Sequence, residues 1–178
     1  MSQIGKAQPH HLPQILHLSF INNKKNLSPE ELAGGFTTAE YSLEFLQQLQ
    51  KETPPIVALD NDTVVGYIIV SPKHLSNGHP YLIEFVDKIE NKDYKDFKKL
   101  QYLLIGQLCI AKEFRGKGLV NKMYAAMEEE YKDFDCAIAD VDLKNEPSRR
   151  AHYKAGWKVF GEDMYGGVPC EFIIKEFH

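Results

Sequence analysis

Cysteine is scarce in this chain, and its three thiols, Cys109, Cys136 and Cys170, stand far apart. Three widely spaced cysteines exclude a disulfide framework, and no two have the short spacing of a zinc site; the pattern suits a reducing compartment. A basic excess is also missing. The 21 Lys and Arg against 25 Asp and Glu leave a net charge of −4, which argues against a general nucleic-acid binder. Long apolar runs are absent: the longest, such as Val64 to Val70, fall far short of the roughly 20 residues a bilayer-spanning helix needs. The N-terminus lacks a charged-then-apolar signal pattern. Repeats and low-complexity linkers are missing too. The histidines at 10, 11, 17, 74, 79, 152 and 178 have no carboxylate or cysteine partner at ligand spacing, so no metal is expected. The expectation is a single soluble domain over 1–178, cytoplasmic, with no nucleic-acid or membrane partner and with homodimer formation left open.

The apolar content is ordinary at 43%, enough for a full core. Ile4 to Ala7 reads as a short opening strand, and Leu12, Ile15, Leu16 and Phe20 recur at helical spacing. Ser28-Pro-Glu-Glu31 forms a capping box closed by Gly34-Gly35, and Thr37-Thr-Ala-Glu40 repeats the pattern before a helix carrying Leu43, Leu46 and Leu49. Two strands, Ile56 to Leu59 and Val64 to Val70, flank the turn Asp60-Asn-Asp62 as a hairpin. Pro72, Gly78 and Pro80 mark a loop before a helix from Tyr81 to Glu90. Mixed charges from Asp87 through Lys92 and Asp93 to Lys99 then read as a solvated face, or as part of an insertion shaping one wall of a substrate site. Tyr102 to Ile110 and Ala137 to Val141 are buried-type strands around a helix with Leu119, Met123, Ala126 or Met127, and Tyr131 on one stripe. A helix opened by Pro147 ends at Gly156. Strands Lys158 to Glu162 and Cys170 to Phe177 close the chain around Gly166-Gly167. Strand–helix–strand order in the middle with hairpins on each side predicts an α/β fold: a mixed sheet with helices on both faces.

The segment Gln107-Leu-Cys-Ile-Ala-Lys-Glu-Phe-Arg-Gly-Lys-Gly-Leu-Val120 carries the chemistry. An apolar strand runs into a basic, glycine-punctuated loop, and a helix follows at once. Unpaired N–H groups at a helix N-terminus, with the positive end of its dipole behind them, make an anion site for phosphate or pyrophosphate. Gly116 and Gly118 let the backbone curl and approach a ligand, while Arg115 and Lys117 add mobile positive charge. A P-loop is excluded because Lys117-Gly-Leu119 lacks the terminal Ser or Thr, and a dinucleotide fingerprint because Asn121 stands where its third glycine belongs.

Arg115-Gly-Lys-Gly118-Leu-Val120 resembles the Gln/Arg-x-x-Gly-x-Gly/Ala motif of the GNAT superfamily of acyl-CoA N-acyltransferases, departing at Val120. Asn145-Glu-Pro-Ser148-Arg-Arg-Ala-His-Tyr-Lys-Ala-Gly156-Trp157 is similar to that family's second CoA-side segment. The resemblance covers roughly Gly106 to Gly161. It implies a GNAT-like, mostly antiparallel mixed sheet and transfer of an acetyl group from acetyl-CoA to a primary amine of a small molecule or protein. It further implies that the pantetheine arm pairs with Leu108, Cys109 and Ile110. The pyrophosphate would rest on the loop Arg115, Gly116, Lys117, Gly118, Leu119 and Val120. Asn145 would contact CoA, or alternatively cap its helix.

Direct attack on a thioester needs a deprotonated amine, N–H donors for the oxyanion, and a proton or its equivalent for the thiolate. The family's usual tyrosine, seven residues after the asparagine, falls here on His152. Three readings stay open: His152 as general acid, the adjacent Tyr153 in that role, or departure of the thiolate with no dedicated acid and His152 packing beside CoA. Glu84, Asp140 and Asp142 are candidate bases. Cys109, inside an apolar strand, reads as packing rather than as a nucleophile. Phe36, Tyr41, Phe85, Tyr165 and the Gly166-Gly167 turn are candidates to line the acceptor entrance. A non-catalytic acyl-CoA-binding module is the alternative to an enzyme.

Overall fold

The computed structural model describes residues 3–91 and 95–177. Seven strands form one sheet: β1 (Gln3–Lys6), β2 (Ile56–Asp60), β3 (Thr63–Pro72), β4 (Tyr102–Ile110), β5 (Cys136–Asp142), β6 (Lys158–Tyr165) and β7 (Val168–Glu176). They lie in the order β1-β2-β3-β4-β5-β7-β6. Every neighbouring pair is antiparallel except β4 and β5. The mixed, mostly antiparallel sheet is thus as the sequence implies.

The α-helices of the described residues are α1 (Leu12–Ile21), α2 (Pro29–Leu32), α3 (Leu43–Leu49), α4 (Pro80–Glu90), α5 (Leu119–Glu130) and α6 (Glu146–Lys154). Leu12, Ile15 and Leu18 of α1 share one core with Phe45 and Leu46 of α3 and Leu82 and Phe85 of α4. On the opposite face, Leu119, Met123, Tyr124 and Met127 of α5 pack with Trp157 against the sheet. Burying each such side chain stabilises the fold by roughly 1.5–3 kcal/mol.

Local signals explain most boundaries. In the β2–β3 hairpin, Asn61 and Asp62 both take positive φ, 47° and 66°, the conformation a two-residue hairpin turn requires. The Ser28 box forms as read: Ser28 Oγ accepts from Glu31 N–H at 3.3 Å, and the Glu31 carboxylate accepts from Ser28 N–H at 2.9 Å. The second box does not. Ser42 caps α3 by accepting from Phe45 N–H at 3.1 Å, while Thr37 Oγ1 donates to Ser19 O at 3.1 Å. A tertiary partner outcompetes the local cap there. The last hairpin is longer than expected because β6 is an edge strand whose exposed polar residues, such as Glu162 and Asp163, hide its apolar alternation. Of the mixed-charge stretch, Lys92 and Asp93 lie outside the described residues.

Two irregularities in β4 set up the site. Ile69 pairs with Gln107 but Val70 pairs with Ile105, so Gly106 is bulged out of the ladder. Meanwhile β4 meets β5 only at Tyr102, Leu103 and Leu104. Beyond these pairs the two strands part.

Candidate active site

The parting of β4 and β5 opens a cleft through the sheet. Its wider part, about 600 Å³, is lined by Leu108, Cys109 and Ile110 of β4, residues 114–116 and 118–121, Asn145 and α6, and residues 34–37. A narrower part continues past Gly106 and Gln107 to Tyr81, Asp140, Asp142, His152 and Cys170. The cleft therefore brings together residues far apart in sequence.

The glycine loop gathers unpaired amide donors at the start of α5. Gly116 and Gly118 have φ of 72° and 73°, and Gly118 is the N-cap of α5. Both positions are strained for any residue with a Cβ. Among the described residues, no acceptor pairs with the backbone N–H groups of residues 116–121. These donors cluster where the helix dipole is positive.

Arg115 departs from the expected mobile charge. Its Nε donates to Ile110 O at 2.9 Å, and its two terminal nitrogens donate to Gly34 O and Asn22 Oδ1, each at 2.7 Å. The guanidinium is committed to the protein. Lys117 is exposed, its Nζ 4.8 Å from the centre of the Phe114 ring.

Asn145 sits at the N-cap of α6 yet makes no side-chain capping bond. Its Nδ2 donates to Phe36 O at 2.8 Å, and its buried Oδ1 is without a partner among the described residues. Such an orphan acceptor, in a side chain facing both parts of the cleft, is costly unless a ligand supplies an N–H.

His152 is buried, and its partners fix its tautomer. Nδ1 faces Ser148 O at 2.8 Å and therefore carries the proton, leaving Nε2 to accept from the Tyr124 hydroxyl at 2.8 Å. Burial pushes its pKa down to about 4. At neutral pH this ring has no proton to give away cheaply, which counts against His152 as general acid. Tyr153 lines neither part of the cleft. Its hydroxyl donates to the buried Glu171 carboxylate at 2.5 and 2.6 Å, beside Arg149, whose Nε lies 3.2 Å from Glu171. Tyr153→Phe is expected to lower unfolding free energy by about 1–3 kcal/mol in urea titrations and to leave CoA-thiol release at the wild-type rate. A large rate loss in that variant returns Tyr153 to the chemistry.

Of the carboxylates, Asp140 and Asp142 both line the narrow part of the cleft. Burial pushes the pKa of Asp140 up to about 7, against the lowering hydrogen bond from the Tyr81 hydroxyl, 3.1 Å away. Asp142, two residues on, accepts from Lys144 N–H at 2.9 Å, and Glu84 is exposed outside the cleft. Cys109 lines the wide part, with its thiol pushed up to about 12 by burial, which counts against it as a nucleophile. Of the proposed entrance aromatics, Phe36 lines the cleft, whereas Tyr41, Phe85 and Tyr165 belong to the core. Tyr81 takes their place. It was hidden in the segment 71–101, where only its position after Pro80 marks it, and it gives that segment a wall of the cleft.

Away from the cleft, His10, His11 and Asp62 come together across the fold. Their spacing, with Asp62 some fifty residues on, is invisible in sequence. His11 Nδ1 accepts from Gln8 N–H at 2.9 Å, so the neutral ring carries its proton on Nε2 and donates to Asp62 at 3.0 Å. A cation would have to displace that proton. The group acts as a clamp on the β2–β3 turn, and its donors hold the Asp62 carboxyl below its ordinary range.

The sequence pattern described as the acetyltransferase (GNAT) family matches residues 22–157. The chain belongs to that family, and with it to the acetyl-CoA-dependent N-acetyltransferases. Compared with curated proteins, it matches none. Among solved structures it is similar to yncA, a putative acetyltransferase from Salmonella typhimurium with its cofactor acetyl-CoA: TM-score 0.64, 14% identity, 100% of this chain and 95% of that one. It is similar to an aminoglycoside acetyltransferase in complex with coenzyme A: TM-score 0.62, 15% identity, 99% and 95% covered. It is also similar to a chain of the NatC complex bound to Gag peptide and CoA: TM-score 0.63, 15% identity, 98% of both chains. Among the described residues, no helix is long and apolar enough to cross a membrane.

Proposed function

We propose that this chain transfers an acetyl group from acetyl-CoA to a primary amine by direct attack on the thioester. The observation that carries this reading is the parting of β4 from β5 after Leu104. It leaves one edge of β4, including Leu108, Cys109 and Ile110, without a strand partner, and that edge runs straight into the cradle at residues 116–121. An extended arm carrying amides can pair with such an edge as an added strand does. The pyrophosphate at its far end then meets the free N–H groups of Gly116, Lys117, Gly118, Leu119 and Val120. Arg115 serves the same loop from behind. The unpartnered Asn145 Oδ1 accepts an N–H from the arm.

The acceptor enters the narrow part of the cleft. Asp140, raised to about 7 and hydrogen-bonded by Tyr81, takes the proton from the attacking amine. The nitrogen forms the new C–N bond, the C–S bond breaks, and the sulfur leaves as thiolate. His152 packs against this route with its one proton already donated to Ser148 O, which favours departure without a dedicated acid from α6. Small amines and protein amino groups both remain within this chemistry. The similar structures include one enzyme of each kind of acceptor, an aminoglycoside and a peptide.

The test is release of CoA thiol from acetyl-CoA across a panel of polyamines, aminoglycosides and short peptides, with coenzyme affinity measured calorimetrically. Micromolar binding with acceptor-dependent release is expected. Binding with no release above background from any amine makes the chain a coenzyme-binding module. Failure to bind CoA removes both readings.

A further inference from the structure

The stretch from Gly34 to Tyr41 lines the cleft as a strap, its middle pinned by a bridge between Thr37 and Asn23 and its far end by bonds at Thr38, Glu40 and Tyr41. Three of its carbonyls are held by side chains that line the cleft. Arg115 donates to Gly34 O at 2.7 Å, Asn145 to Phe36 O at 2.8 Å, and Gln107 to Ala39 O at 2.9 Å. All three donors come from segments that line the cleft. The strap in turn supplies Phe36 and Thr37 to both its wide and its narrow part.

Arg115 is the most heavily engaged of these donors. Its planar fork bridges three elements: the end of β4 at Ile110, the strap at Gly34, and Asn22 just after α1. The approach is close enough that a Cβ on Gly34 would lie 3.1 Å from the guanidinium. Donors in a fixed fork satisfy three separately placed acceptors in a way a lysine ammonium cannot.

We propose that Arg115 is a positioning residue: its guanidinium holds the Gly34 end of the 34–41 strap as a wall of the acceptor entrance and contributes no direct bond to the coenzyme phosphates. The role assigned to that wall rests on the acetyl-transfer reading; the clamp itself does not. Phosphate binding falls to the backbone N–H groups of 116–121, which no side-chain substitution at 115 removes. Charge at 115 is therefore secondary, and fork geometry is what matters.

Hydrogen exchange in the free protein reads the clamp without any acceptor. The reporters are Gly35 N–H, bonded to Leu32 O at 3.0 Å, and Thr37 N–H, bonded to Asn22 O at 2.9 Å. In Arg115→Lys, which keeps the charge and loses the fork, exchange across 33–37 should rise at least tenfold, with β5 and β7 peptides unchanged as control. Asn22→Ala removes one acceptor of the fork, leaves Arg115 in place and should reproduce the rise; it also keeps the test open if an Arg115 variant does not fold. The CoA dissociation constant of Arg115→Lys should stay within threefold of wild type. Wild-type exchange in the strap of Arg115→Lys overturns the proposal. So does a rise in Arg115→Lys that Asn22→Ala fails to reproduce, or a tenfold loss of CoA affinity that is absent for pantetheine, which has no pyrophosphate. If the wild type binds no CoA, the acetyl-transfer reading fails while the exchange data still decide the clamp.

Discussion

Replacing Asp140 with asparagine is expected to lower the rate of CoA-thiol release by about 10²- to 10⁴-fold, with coenzyme affinity little changed. Asparagine keeps the shape and can still accept the Tyr81 hydrogen bond, but it cannot take a proton. The wild-type pH profile gives the sign. A base works in its ionised form, and Asp140 is raised from its ordinary 3.8 to about 7 by burial. Activity should therefore climb as pH rises through about 7 and then level. An acceptor amine of low basicity should be used, so that the amine's own ionisation lies below this limb. In Asp140→Asn the residual rate should lose the limb. Tyr81→Phe removes the bond that favours the carboxylate, so the limb should move to higher pH with a smaller loss of rate. An Asp140→Asn enzyme that keeps a third or more of the wild-type rate, or keeps the limb, rules out this base.

What the sequence revealed and what it concealed divide along locality. The backbone of the glycine loop was legible because its parts are contiguous: a strand end, two glycines and a helix start fix the chain from Ile110 to Asn121 almost without help. The two helix-on-sheet layers were legible from period alone, as in Leu119, Met123 and Met127. Asp140 was named only as one of three carboxylates, since its selection depends on β5 leaving β4 at Ile138, a distance no local pattern encodes. The fold-back of Arg115 onto Gly34 and Asn22 joins residues 81 and 93 positions apart. From sequence its charge looked free. Thr37 shows the reverse error: a good local cap was spent on a tertiary bond to Ser19. His152 matched the family's acid by position, and only its two partners reveal a neutral ring with its proton engaged.

His152 and Asp140 also make opposite demands on stability, and this yields an expected result that neither shows alone. Burial lowers His152 from its ordinary 6.5 to about 4 and raises Asp140 from 3.8 to about 7. Between about pH 4 and 6.5 the unfolded chain holds a proton on His152 and none on Asp140; the folded chain holds one on Asp140 and none on His152. Both states bind one proton, so the two contributions to the pH slope of unfolding free energy cancel. Removing either partner uncovers the other. In Asp140→Asn the unfolded state binds the extra proton, and stability should rise with pH across this window by about 3 kcal/mol relative to wild type. In His152→Phe the folded state binds it, and stability should fall as pH rises from about 4 to 7. Water reaching the partly open Asp140 makes this second slope the shallower. The double variant should follow the wild-type curve in shape, offset by lost packing and the unpaired Tyr124 hydroxyl. Carboxylates with lowered values, such as Asp62 and Glu176, add a slope below about pH 4 common to all four proteins. Urea unfolding at half-unit steps from pH 4 to 7.5 measures the differences directly. Slopes of the same sign in the two single variants would mean that one of the two groups is ionised in the folded state, and with it the assignment of a neutral His152 or a proton-holding Asp140 would fall.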